Sequence, residues 1–292
     1  MRRATAAIVA ALLLLTGACG DDDDDSGDAV APGTDTSTTA VGGDPGTTSD
    51  AGGDGDGDGP PVTDAAPDGG GDAPAPADPD TDGGPGSAAP FFLRPEPATA
   101  IVLEVSAEPG AEPSDDTVQH VANTLIAVTG KGVSVSAGGA LPSDDVWSPD
   151  EVRAAADAAA RTSQGGGRAV IRLLFVHGEY SESDTVLGVA VRGDVAAVFS
   201  DRVDAAETPL IGSGAIETAV TTHEIGHLLG LVDSYLDTGR DDPEHPGHST
   251  NRSSVMYWAV ESSLVSDLLT GGPPRDFDDA DRADLAAIRN GA

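Results

Sequence analysis

A single cysteine, Cys19, stands in the 292 residues, so no disulfide can form within the chain. Basic residues are scarce as well: 15 lysines and arginines face 50 aspartates and glutamates, for a formal net charge of −35. With no basic patch to displace the counterions of a phosphate backbone, nucleic acid is excluded as the expected partner. Long apolar runs are missing too. The stretch from Ala4 to Leu15 is too short to span a bilayer as a stable helix, but behind Met1-Arg2-Arg3 it has the charged start and short hydrophobic core of a secretory signal. From Gly20 to about Pro90 the chain has almost no large apolar residue and no lysine or arginine. Such a segment cannot bury enough surface to offset its conformational entropy, which predicts a disordered acidic tether over residues 20–90. Its Asp54-Gly55-Asp56-Gly57-Asp58 run lacks the regular apolar position of a stacked calcium-binding repeat and reads as part of that tether.

What the chain does have is His223-Glu224-Ile225-Gly226-His227-Leu228-Leu229-Gly230. In a helix His223 and His227 share one face and can bind one Zn²⁺, while Glu224 stands beside them, placed to take a proton from water rather than to ligate. The pentad alone is weak, since an amphipathic helix with solvated histidines has the same spacing. Gly230 adds a place for the helix to stop and turn back, because glycine accepts the left-handed conformation of helix ends. A four-coordinate catalytic zinc site needs a third protein ligand. Asp233, His245 and His248 are the downstream candidates.

With Met256 in Ser254-Val255-Met256-Tyr257, this stretch resembles the metzincin clan of zinc peptidases, whose pattern is H-E-x-x-H-x-x-G-x-x-H or D followed by a turn carrying methionine. The segment from His248 to Tyr257 is similar to that of the matrixin and archaemetzincin branches, where the third histidine comes eight residues before the methionine. His248 is therefore the expected third ligand. Asp233, in the usual position after the glycine, is the alternative and resembles the snapalysin type. Seventeen residues separate Gly230 from His248, so residues 231–247 are read as an inserted loop of the kind leishmanolysin-like members tolerate. Its entropic cost grows only with the logarithm of length. The acidic residues Asp241, Asp242 and Glu244 are assigned to its surface. The resemblance implies one catalytic zinc ion held by His223, His227 and His248, with Met256 as an apolar floor beneath it. Glu224 is then the general base, and a zinc-activated water hydrolyses the peptide bond. Some clan members place a tyrosine two residues after the methionine. Trp258 stands there in this chain, so no such role is assigned.

About two hundred residues, 91–292, remain for one folded domain. Ile101 to Val105 alternates like a strand, and apolar positions at Val118, Val121, Ala122, Leu125 and Ile126 predict a helix over Asp115 to Val128. Val133 to Val135 reads as a short strand. Pro149 opens a helix running to Ala160. Ala169 to His177 is nearly continuous in apolar residues, as a strand covered on both faces is. Leu187 to Val191 and Val195 to Phe199 follow as strands, then the zinc-site helix over Ile216 to Leu229 and a last helix over Phe277 to Arg289. The fold class expected is α/β (α+β), metzincin-like: a small twisted mixed sheet, an edge strand over the cleft, the active-site helix, the Met-turn and a C-terminal helix. Leu187 to Val191 is the candidate edge strand to pair with extended substrate.

Leu15-Thr16-Gly17-Ala18-Cys19 resembles a bacterial lipoprotein processing site, with Thr16 where leucine is usual. It implies cleavage after residue 18 and lipidation of Cys19. Ordinary signal cleavage near Ala18, with release of the protein, is the alternative. The combined expectation is a monomeric zinc endopeptidase acting on peptide or protein substrates, held by a lipid anchor on the extracytoplasmic face of the cell membrane. The competing expectation is a zinc-binding or peptide-binding lipoprotein that does no chemistry, closed by a fourth side chain such as His245 or Asp233.

Overall fold

A computed structural model of the chain describes residues 80–268 and 272–292; the expected signal segment with Cys19 and the expected tether up to residue 79 lie outside the described residues. The chain order opens with α1 (Ala89–Leu93), β1 (Ala100–Ala107), α2 (Asp115–Thr129), β2 (Gly132–Ala137), a short β3 (Val146–Trp147) and α3 (Pro149–Ala159). It continues with β4 (Arg168–Val176), a short β5 (Glu179–Tyr180), β6 (Gly188–Arg192), β7 (Val195–Phe199), α4 (Ser200–Ala205) and α5 (Ser213–Leu228). A small hairpin of β8 (Asp241–Asp242) and β9 (His245–Ser249), two 3-10 turns at Trp258–Glu261 and Ser263–Leu268, and α6 (Asp279–Arg289) complete it. None of the described helices is long and apolar enough to cross a membrane.

The fold is mixed α/β. Five strands form one sheet in the order β2-β1-β4-β7-β6, parallel except for β6, which runs antiparallel to β7 at the edge. Side chains alternate between its faces with a period of two. Ala169, Ile171, Leu173 and Phe175 of β4, with Ala196 and Val198 of β7, meet α2 and α5 through Val121, Leu125, Ile216 and Val220. Leu174 and Val176 of β4, with Val195, Ala197 and Phe199 of β7, meet α3 on the other face through Val152, Ala155 and Ala156. Cover on both faces is the reason β4 reads as an unbroken apolar run.

Helix ends follow their local chemistry. Ser114 caps α2 by accepting the Thr117 N–H at 3.2 Å, and Gly130 ends it at φ 71°. Ser148 and Glu151 form a capping box at α3 behind Pro149, and Asp278 with Asp281 forms another at α6. Each pairs orphan backbone donors with a side chain that cannot do so in mid-helix.

Several boundaries differ from the sequence reading. Residues 80–90, expected in the tether, belong to the folded body. Gly193 donates its N–H to the Gly83 carbonyl at 2.9 Å, and Ala88, Ala89 and Phe92 are buried in the core. The edge strand begins at Gly188 rather than Leu187, because the Leu187 N–H turns away to the Glu261 carbonyl at 2.7 Å. The last helix starts at Asp279, two residues after Phe277, since its cap is Asp278. The inserted loop, residues 231–247, is not featureless: it contains β8 and the first residues of β9.

On the α3 face a buried ionic network crosses the sheet. Glu104 of β1 accepts backbone N–H groups of Arg161 and Thr162, at 3.1 Å and 2.8 Å to the same oxygen. Arg172 of β4 pairs with Asp194 and donates to the Thr162 carbonyl at 2.9 Å. Asp194, 1% exposed, also accepts from Arg192 at 2.7 Å. Two guanidinium groups thus share one carboxylate where water does not reach. Breaking such a pair from one side leaves uncompensated buried charge. Asp194→Ala should therefore destabilise the protein by about 3–5 kcal/mol in denaturant unfolding. A loss under about 1 kcal/mol, the worth of an exposed pair, would show the network to be dispensable.

Candidate metal centre

Helix α5 carries the first two histidines through the interior. Because it is wedged between the sheet and the segment around Met256, its side chains are buried almost all round. Its threonines stay satisfied by donating back one turn: Thr218 to the Gly214 carbonyl at 2.8 Å, Thr221 to Glu217 at 2.7 Å and Thr222 to Thr218 at 2.8 Å. The helix stops at Gly230, φ 83°, with the Leu231 N–H bonded back to the Gly226 carbonyl at 3.0 Å. Val232 and Asp233 follow at φ 51° and 58°. The left-handed region is an uncommon place for side-chain-bearing residues and a true outlier for a β-branched one.

The structure brings His223, His227 and His248 together. Ring centroids lie 4.7 Å apart for His223 and His227, and 5.2 Å from each of these to His248. His248 arrives on β9, whose next residue, Ser249, donates its N–H to the Met256 carbonyl at 2.8 Å. His223 Nδ1 lies 2.7 Å from the Val255 carbonyl. A carbonyl only accepts, so Nδ1 carries the proton of the neutral ring and Nε2 keeps its lone pair. His227 Nε2 lies 3.0 Å from that atom. Burial, then the neighbouring His223 and His248, hold His227 well below the usual histidine range, in the neutral form that ligates.

A fourth donor joins them that the sequence reading did not name. Glu261 ends the 3-10 turn after Met256, with Oε1 3.0 Å from His248 Nε2 and Oε2 3.5 Å from His223 Nε2. Burial alone would raise its pKa, but contacts with His223 and His248 outweigh this and keep it ionised. The four ligand atoms lie within 4.8 Å of one another. Neither nitrogen of His248 has an aligned hydrogen-bond partner, although both are buried. Orphaned buried polar atoms call for a partner. Three imidazole nitrogens and one carboxylate oxygen suit one zinc ion.

Glu224 lies beside the cluster, fully buried, and neither carboxylate oxygen has a hydrogen-bond partner. Burial first, then the Glu261 carboxylate, push its pKa well above the ordinary range. Gly188 of β6 makes room for it: a Cβ there would sit 2.8 Å from Glu224 Oε1 and 2.6 Å from Val220 Cγ1. Val189 and Ala190 of the same edge strand, with Pro85, Ser234, Glu224, His227 and Glu261, line a cleft of about 280 Å³.

The other candidate ligands lie elsewhere. Asp233 accepts from the Thr238 N–H at 2.8 Å and its hydroxyl at 3.1 Å, spending its carboxylate inside the loop. His245 stacks on Trp258 with centroids 4.1 Å apart and points Nδ1 at Asp242, 3.2 Å away. Met256 is fully buried under α5. Its N–H is held by Ser254 Oγ at 2.9 Å, and that hydroxyl donates to Asp281 of α6 at 2.7 Å.

No family model matches the chain, and no curated protein matches it in sequence. Among solved structures the chain is similar to archaemetzincin from Methanopyrus kandleri, with 19% identity and a TM-score of 0.45, covering 66% of this chain and 97% of that one. It is also similar to archaemetzincin from Archaeoglobus fulgidus in complex with malonate, with 17% identity, a TM-score of 0.36 and coverage of 65% and 99%. A zinc-dependent peptidase from Methanocorpusculum labreanum gives 17% identity, a TM-score of 0.38 and coverage of 63% and 99%.

Close contact between α5 and Met256 depends on Gly226, where a Cβ would fall 2.2 Å from Met256 Sδ and 3.0 Å from a ring carbon of Phe277. Gly226→Ala should overpack this floor, destabilising the protein by about 1–3 kcal/mol. It should also weaken zinc binding in a competitive chelator titration. Stability and affinity equal to the parent's would show that the floor does not constrain the site.

Proposed function

We propose that the chain is a zinc-dependent endopeptidase, lipid-anchored through Cys19 on the extracytoplasmic face of the membrane. The observation that carries this is the pairing of three convergent imidazoles with a buried carboxylate, Glu224, that has no ion-pair partner and no aligned hydrogen bond among the described residues. A site built only to store or bind metal has no use for such a group. Held by His223, His227 and His248, zinc would supply Lewis acidity toward a carbonyl oxygen and make water more acidic.

The chain's own groups divide the remaining work. Glu224, kept basic by burial, accepts a proton from the attacking water and returns it to the leaving amine. Val255, through its carbonyl, keeps the His223 ring in one tautomer and one orientation. The edge strand β6 offers main-chain groups at Val189 and Ala190 to an extended peptide lying along the cleft. Its register shift near Val191 sends that residue's carbonyl to Arg153 Nε at 2.9 Å, bending the strand beside the cleft.

The second reading, a zinc-binding lipoprotein without turnover, is favoured by one observation. Glu261 supplies a fourth donor atom, and four protein donors are the pattern of closed zinc sites. Cleavage of a mixed peptide library by the zinc-loaded full-length chain separates the two. Glu224→Ala should bind zinc as the parent does yet lose at least about 10²-fold in turnover. Chelation should abolish cleavage and added zinc restore it. Cleavage that survives Glu224→Ala would refute Glu224 as the base, and no cleavage by the zinc-loaded parent would favour the second reading.

A further inference from the structure

Glu261 approaches the histidines from an informative side. A carboxylate that merely orients a ligating histidine binds the nitrogen away from the metal, as the Val255 carbonyl does at His223 Nδ1. Glu261 instead faces Nε2 of both His223 and His248, the atoms whose lone pairs converge. Donors about 2.0–2.1 Å from a tetrahedral zinc stand roughly 3.3–3.4 Å from one another. The observed separations, 3.0 Å from Oε1 to His248 Nε2 and 3.5 Å from Oε2 to His223 Nε2, place each carboxylate oxygen near that distance from one histidine. The histidines are its only ion-pair partners among the described residues, so this largely covered carboxylate has no lysine or arginine beside it.

Its backbone is fixed by pairing with the chain before the edge strand. The Glu261 carbonyl accepts the Leu187 N–H at 2.7 Å, Ser262 forms a bridge with Val186, and the Ser263 N–H reaches the Thr185 carbonyl at 2.8 Å. Residues 261–263 therefore cap the start of the edge strand as a peptide would, and they hold the Glu261 Cα at the cleft. Its side chain, 24% exposed, lines that cleft and can swing by rotation about its own bonds.

We infer that Glu261 is a displaceable fourth zinc ligand, which closes the metal centre at rest and must leave before a substrate carbonyl or water can reach the ion. Its consequence for turnover rests on the peptidase reading, whereas the ligand assignment does not.

The test uses the full-length chain, its Glu261→Ala and Glu261→Gln variants, zinc competition with a chelator, and the visible spectrum of the cobalt(II)-substituted proteins titrated with azide. Both variants should bind zinc at least about tenfold more weakly, since loss of even an outer-shell partner weakens metal sites by about 10–100-fold. Azide should shift the cobalt spectrum of the variants, where a position has opened, and leave the parent's unmoved. Circular dichroism checks that the variants fold, and Glu261→Gln keeps the side chain's shape if the alanine variant does not. Equal zinc affinities, or a parent spectrum that azide shifts as readily as the variants', would overturn the assignment. Faster peptide cleavage by Glu261→Ala would support both the latch and the peptidase reading. Metal results as expected with no cleavage by any form would leave Glu261 as a ligand and defeat the peptidase reading alone.

Discussion

The hydrogen bond from His223 Nδ1 to the Val255 carbonyl, 2.7 Å long, joins two segments distant in sequence, helix α5 and the turn that carries Met256. Everything at the metal centre depends on it. It sets the tautomer of the first ligand, aims that ligand's lone pair at the other rings, and seats Met256 against Gly226. The contact works only because the helix is buried on all sides, which forces polar groups there to find protein partners. Glu224 on the helix and His248 facing it are among the groups that find none.

The inserted loop raises a mechanical question, since a ligand carried after a long insertion must still arrive in place. The chain answers it from the far end. Helix α6 and its cap bind both the insertion and the segment after it: Arg240 pairs with Asp284 and donates to the Ala280 carbonyl at 3.0 Å, while Asp278 accepts from Asn251 at 2.7 Å and Asp281 from Ser254 at 2.7 Å. Loop closure alone is inexpensive, but accuracy at the metal requires these anchors. Burial raises the pKa of Asp281 against the opposing pull of Ser254, so the carboxylate that steadies the turn is itself held by the fold.

How much of this was legible in sequence follows from the range of each interaction. The two α5 histidines, Glu224 and the stop at Gly230 lie within one helix, whose period fixes their relation. The apolar run of β4 and the capping residues Ser148 and Pro149 are local signals too. His248 was reached through its spacing from Met256, a relation preserved by the short turn between them. Glu261 was not reached. A single acidic residue in a 3-10 turn has no period, and only the pairing of residues 261–263 with 185–187 brings it to the metal. The same holds for residues 80–88: their composition matches the tether, and they are ordered by Gly193 and Ser234, which are distant in sequence. Composition measures what a segment can bury alone, not what a groove elsewhere can hold.

The path of the chain into the folded body carries a last consequence. Gly83 accepts the Gly193 N–H at the turn between β6 and β7, and Pro85 lines the cleft before α1 enters the core. The turn that follows the edge strand thereby anchors the same stretch of chain whose Pro85 forms part of the cleft wall. A substitution at the Gly193 turn therefore acts on the entry of the chain and on the wall of the cleft together.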